Sequence, residues 1–184
     1  MDEWKLPNLE RRLKCLIDGD TVRRRIAEMG AAIRRDFEGK EVVVIGTLKG
    51  SILFFSDLVR CIDLPLEMDF LGMSSYGNER TTSGQVRITS DLSKPIDGKH
   101  VIVIEDIVDT GLTMQFVTDS LKVRNPASVS VCTLLHKPSR TRVHVDMKYV
   151  GFVIEDKFVV GYGLDWSEKY RNVSFIGVVG EEDE

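Results

Sequence analysis

The sequence predicts an α/β protein: a central, mostly parallel sheet flanked by helices. Three observations carry this. Val101 to Ile104 is an unbroken apolar run, the mark of a strand buried on both faces. Glu41 to Gly46 (EVVVIG) is a second run of the same kind. From residue 41 to 135 strands alternate with helical patterns, which implies parallel pairing through right-handed crossovers. A length of 184 residues suits one domain, residues 1–184, with its core at about 40–135. Segments at about 1–18 and 150–184 are left to form a small hood.

The elements follow in order. Val22, Ile26, Met29, Ile33 and Phe37 recur at helical spacing and predict an amphipathic helix over Asp20 to Phe37. Arg23, Arg24, Arg25, Arg34 and Arg35 read as its solvated face. The strand at Glu41 to Gly46 leads into a helix from Ser51 to Cys61, then a strand from Leu66 to Gly72. A polar stretch from Ser74 to Gly84 (SSYGNERTTSG) joins this strand to Val86 to Thr89, and its length suggests a mobile lid. After Val101 to Ile104 come a helix near Thr113 to Val123 and a strand from Ser128 to Leu135. Short strands are predicted near Tyr149 to Val153, Phe158 to Val160 and Ser174 to Val179. The pattern leaves the order of the strands open.

Composition narrows the function. A formal net charge of −4 argues against a nucleic-acid partner. Cys15, Cys61 and Cys132 are odd in number and form no C-x-x-C pair, which predicts free thiols in a reducing cytosol. No apolar run approaches the ~20 residues of a membrane span, and MDEWKLPNLE lacks the layout of a signal peptide. The expectation is a cytoplasmic enzyme.

The chemistry concentrates in VIVIEDIVDTGLT, Val101 to Thr113. In open α/β sheets ligands bind beyond the carboxyl ends of the strands, which is where Glu105, Asp106 and Asp109 fall. Carboxylates suit a Mg²⁺-bound or hydroxyl-rich ligand. The small-residue turn Thr110-Gly111-Leu112-Thr113, opening a helix, suits phosphate. Two plainer readings compete. Glu105 and Asp106 could be surface carboxylates at a loop entry; as neighbours on a regular strand they point to opposite faces, so sharing a ligand requires the strand to end there. The turn could be an ordinary helix start with Asp109 or Thr110 as N-cap. Neither a Walker loop nor a G-x-G-x-x-G opening a helix is present.

VIVIEDIVDTGLT is similar to the phosphoribosyl-diphosphate signature of the type I phosphoribosyltransferase superfamily. LLHKPS (Leu134 to Ser139) and DKFVVGYGLDWSEKYRN (Asp156 to Asn172) narrow the likeness to its 6-oxopurine members, the hypoxanthine-guanine phosphoribosyltransferases. Leu48-Lys49-Gly50 and Ser75-Tyr76 sit where that family has its two other loops. The resemblance implies transfer of ribosyl phosphate from phosphoribosyl diphosphate to N9 of hypoxanthine or guanine. It gives Glu105 and Asp106 to the ribose hydroxyls and Thr110 to Thr113 to the 5′-phosphate. Asp109 falls near purine N7, as proton acceptor or as counter-charge to an oxocarbenium-like sugar. Lys137 would donate to the 6-oxo group, Phe158 stack on the base, and the Val159 backbone meet its 2-position. Arg171 and Lys49 would meet pyrophosphate, with the Leu48–Lys49 peptide resembling one that is cis in relatives. Mg²⁺ would be held by Glu105, Asp106 and Asp165, and Tyr76 would sit on the closing lid. By pattern alone, Phe158 is a core strand residue, and Lys137 and Arg171 are surface cations. Leu112 departs from relatives with lysine there, and backbone N–H groups can hold phosphate without that charge. The resemblance further implies a homodimer or homotetramer. A nucleic-acid-binding regulator on the same fold would need a basic face and lost catalytic groups, and a transferase for xanthine or a pyrimidine would differ only in the base pocket.

Overall fold

The computed structural model describes residues 13–75 and 86–179. Tyr76 and the stretch 76–85 lie outside these residues. The first helix, α1 (Gly19–Phe37), starts at Asp18, whose carboxylate accepts from the Thr21 backbone N–H at 2.9 Å and from its hydroxyl at 2.7 Å. The predicted stripe of Val22, Ile26, Met29, Ile33 and Phe37 is buried. Gly30 permits close packing on α2 (Ile52–Cys61): a Cβ there would meet the Cys61 carbonyl at 2.6 Å.

The main sheet has six strands. β2 (Val42–Leu48), β3 (Glu67–Ser75), β5 (His100–Val108), β6 (Ser128–His136) and β7 (Met147–Val153) pair in parallel, and β4 (Val86–Ser90) lies antiparallel at the edge beside β3. The order is β4-β3-β2-β5-β6-β7. From β2 the chain moves one way to β3 and then returns to the other side of β2 as β5. The sheet therefore reverses direction between β2 and β5, and a crevice opens beyond the ends of those two strands.

Alternating side chains bury both faces. Val42, Val44, Ile102 and Ile104 join the core under α1 and α2, while Val43, Ile45, Val101 and Val103 join the core under α3 (Leu112–Lys122). A second, antiparallel sheet of order β1-β9-β8 forms the hood, from β1 (Leu13–Ile17), β8 (Val159–Val160) and β9 (Ile176–Val179). Val159, Tyr162, Leu164 and Ile176 seat it on the α1–α2 core.

Three expectations change. The strand predicted near Tyr149 to Val153 is the sixth strand of the main sheet, paired with β6 through Cys132 and Tyr149, and is not part of the hood. Arg25 is not simply solvated: its Nε and Nη2 donate to the Gly151 and Val150 carbonyls at 2.9 and 2.8 Å, covering the free edge of β7. β5 does not stop at Ile104 but runs through both carboxylates to Val108. No described helix is long and apolar enough to cross a membrane.

Candidate active site

The loop after β2 and the turn after β5 meet at the crevice. Ser51 Oγ donates to the Thr47 carbonyl at 2.5 Å, anchoring the loop between them, and the Leu48–Lys49 peptide is cis. Gly50 lies against the Asp106 carboxylate, where a Cβ would come within 1.7 Å of Oδ2. Lys49 is exposed and pairs with Glu168 at 3.0 Å.

Because β5 continues, Glu105 and Asp106 serve different spaces. Glu105 lines a small cleft of about 70 Å³ with Asp109, Thr110, Gly111 and Thr113. Asp106 lines a larger one of about 480 Å³ with Asp109, Lys137, Arg140, Asp156, Phe158, Val159 and Asp165. The alternation slips after the pair, since Ile107 packs with Ile102 and Ile104 while Val108 packs with Val101 and Val103. Glu105 Oε2 is shielded from water with no hydrogen-bond partner. Burial, reinforced by the neighbouring Asp106 charge, pushes the Glu105 carboxyl well above the usual carboxylate range.

Asp109 stands where the two clefts join. Its Oδ1 lies 2.9 Å from Arg140 Nε, close enough for an ion pair, but the atom is shielded from water and receives no hydrogen bond of good geometry. The turn after it begins α3 in an unexpected way. The N-cap is Gly111, at φ 84°, rather than Asp109 or Thr110, and no side chain caps the helix. A Cβ at Gly111 would strike the Val143 carbonyl at 2.2 Å, so glycine is needed for packing as well as for the left-handed backbone. The first-turn N–H groups of α3 therefore have no competing side-chain cap in front of the small cleft. Leu112 opens the helix, and its N–H reaches Thr110 Oγ1 only at 3.4 Å.

The far wall of the larger cleft comes from β6 onward. Lys137 is 7% exposed, against the surface position its pattern suggested, and its Nζ is 3.8 Å from Asp156. Phe158 is 55% exposed at the cleft rather than buried in a strand, because β8 begins only at Val159. Arg171 is half-buried too, donating to the Gly163 carbonyl at 2.8 Å and pairing with Asp165 at 2.8 Å, while its Nε has no partner. Ser75 ends β3, facing the same end of the sheet as Leu48. Among the described residues no three His, Cys, Asp or Glu side chains are close enough to hold a metal ion by themselves, so Glu105, Asp106 and Asp165 are not one ready-made ligand set. Arg140 and Asp156 went unnoticed in the sequence. The available signal was Arg140 three residues after Lys137, across a proline that starts a 3₁₀ turn.

A phosphate-sized cleft at an uncapped helix start, sharing one carboxylate with a larger cleft at the reversal of a parallel sheet, defines an α/β protein built to handle a sugar phosphate. The chain matches the model of the phosphoribosyl transferase domain over residues 16–167 and belongs to that family. It is 50% identical over 171 residues to a hypoxanthine phosphoribosyltransferase of Haemophilus influenzae, spanning 91% of this chain and 96% of that one. It is 44% identical to a hypoxanthine-guanine phosphoribosyltransferase of Mycobacterium tuberculosis, spanning 89% and 84%. A crystal structure of a hypoxanthine phosphoribosyltransferase from Staphylococcus aureus superposes with a TM-score of 0.93 at 40% identity, covering 97% of this chain and 98% of that one.

Proposed function

We propose that this chain is a purine-salvage pentosyltransferase that moves the 5-phosphoribosyl group of phosphoribosyl diphosphate to N9 of hypoxanthine or guanine. The C1′–oxygen bond to pyrophosphate breaks, the C1′–N9 bond forms, and the purine loses one proton, giving IMP or GMP. One observation carries this reading: the Asp109 carboxylate stands at the junction of a phosphate-sized and a base-sized cleft, the second of which also holds Lys137 and Phe158.

The roles follow from chemistry. The N–H groups and hydroxyls of Thr110 to Thr113 take the 5′-phosphate. Glu105 and Asp106 take the ribose diol, for which the orphaned Glu105 Oε2 is a suitable acceptor. Asp109 accepts the purine proton or stabilises positive charge on the sugar. Lys137 donates to the 6-oxo group and disfavours adenine, whose amine would leave the ammonium unpaired. Phe158 offers its exposed ring to the base, with the Val159 backbone at the 2-position. Arg171 and the Leu48-Lys49-Gly50 loop receive pyrophosphate, and Ser75 and Tyr76 belong to the lid that keeps water from the reacting sugar. Glu105, Asp106 and Asp165 would contact Mg²⁺, not as one closed set but each from its own side of the cleft, and the ion would supply neutralisation of the charge on the leaving diphosphate. The same reading places the enzyme in the cytoplasm as a homodimer or homotetramer.

The test is a panel of hypoxanthine, guanine, xanthine, adenine and uracil with phosphoribosyl diphosphate and Mg²⁺, following pyrophosphate release. Turnover is expected with hypoxanthine or guanine and far less with adenine. No turnover with any 6-oxopurine would sink the reading.

A further inference from the structure

We propose that Arg140 and Asp156 are positioning residues, a charged bridge that sets the spacing between Asp109 and Lys137. The proposal rests on the phosphoribosyl-transfer reading above and deepens it. N7 and the 6-oxo group share one edge of a 6-oxopurine, so the carboxylate that meets one and the ammonium that meets the other must be held at matched distance.

Four alternating charges line the larger cleft. Asp109 Oδ1 is 2.9 Å from Arg140 Nε, Arg140 Nη1 is 3.4 Å from Asp156 Oδ2, and Asp156 Oδ1 is 3.8 Å from Lys137 Nζ. The backbone explains why they meet. The Lys137 N–H donates to the Val108 carbonyl at 3.0 Å, beside Asp109, and the Arg142 and Val143 N–H groups donate to the Thr110 carbonyl at 2.9 and 3.1 Å. Asp109 thus sits between two stitches that tie its strand to the segment carrying both cations. Arg140 ends the 3₁₀ turn Pro138–Arg140, and its N–H donates to the Lys137 carbonyl at 3.2 Å. Residues three apart in such a turn eclipse, so Lys137 and Arg140 overhang one cleft.

Each link leaves the reacting atom free. Arg140 meets Asp109 at Oδ1, so Oδ2 of that partly exposed carboxylate stays available to the base. Asp156 stands beyond hydrogen-bond reach of Lys137, so the ammonium protons remain available to the 6-oxo oxygen. A nearly buried ammonium still needs a counter-charge, and Asp156 supplies it while also holding Arg140. The Asp109 and Asp156 charges in turn raise the Arg140 pKa above its ordinary value.

The experiment compares wild type with Arg140→Gln, Arg140→Lys, Asp156→Asn and the Arg140→Gln/Asp156→Asn double variant in steady-state kinetics with hypoxanthine, guanine and phosphoribosyl diphosphate. Wild-type turnover is measured first, so an inactive wild type condemns the functional reading rather than the bridge. With wild type active, Arg140→Gln is expected to lower kcat by about tenfold to a hundredfold, the scale of a misplaced catalytic group. KM for phosphoribosyl diphosphate should stay within about twofold, because the phosphate turn is untouched. Arg140→Lys should recover part of kcat, and the double variant should be no worse than the poorer single. Unchanged kcat in Arg140→Gln, or losses that multiply in the double variant, would overturn the proposal. Melting temperatures of all variants separate misfolding from misplacement: an Arg140→Lys protein as stable as wild type but no faster than Arg140→Gln also overturns it.

Discussion

Asp109 lines both clefts, and its Oδ1 lies 2.9 Å from Arg140 Nε. Asp109→Asn keeps the shape and removes the charge. It is expected to lower kcat by about 10²–10⁴-fold while KM for phosphoribosyl diphosphate changes by less than about threefold. Equal losses in both would assign Asp109 to ground-state binding. This part of the site was legible because it is local: Glu105 to Thr113 is one run whose chemistry survives without knowledge of the fold. Arg140 and Asp156 were not, because only the pairing of β6 with β5 and β7 brings them to Asp109. Phe158 misled in the other direction. By pattern Phe158 opens a core strand running to Val160, yet the hood strand starts one residue later and leaves the ring at the cleft.

At the level of elements, helices and central strands followed their patterns because each was decided by its own apolar spacing. β1 escaped notice because LKCLI is short, carries Lys14 and finds its partner β9 at the other end of the chain. The extension of β5 was hidden by its acidic residues, whose exclusion from strands is a preference that a crevice overrides. The Gly111 cap likewise displaced the side-chain caps the sequence offered, since the left-handed residue alone satisfies the packing on Val143. α1 shows the opposite case, a side-chain cap formed as its type suggests. The Asp18 carboxyl is held below its ordinary 3.8, first by the Thr21 hydroxyl and then by the Thr21 N–H. A lowered folded pKa means stability that is present above the ordinary value and lost as pH falls through the folded one. Asp18→Ala should therefore melt at a lower temperature than wild type at pH 7, and the gap should close as the pH is taken below 3.8. A gap that persists undiminished in acid would show that the carboxylate charge is not what caps α1.

Across the whole molecule, substrate chemistry is divided between two sheets. The main sheet carries the loop at Leu48-Lys49-Gly50, the carboxylates and the phosphate turn, and the hood follows Phe158 and carries Val159, Asp165 and Arg171 near its strands. Beside the apolar packing of the hood on the α1–α2 core, the Tyr162 hydroxyl donates to Asp57 on α2 and Gly163 rests on the Gly50 carbonyl. Gly163 has φ 103°, and a Cβ there would fall 2.0 Å from Gly50 O, so neither the backbone angle nor the space admits a side chain. Gly163→Ala must push the hood away from the loop that itself abuts Asp106. Its stability cost should be about 2 kcal/mol, typical of overpacking with backbone strain. The diagnostic result is kinetic: KM should rise several-fold for both the purine and phosphoribosyl diphosphate, because one displacement opens both sides of the cleft. Leu121→Ala provides the control. It empties a fully buried position on the last turn of α3, away from the seam, and should cost about 3 kcal/mol in urea unfolding while leaving both KM values near wild type. If Gly163→Ala raised only one KM, or if Leu121→Ala raised both as strongly, the seam would not be what holds the two halves of the site in register.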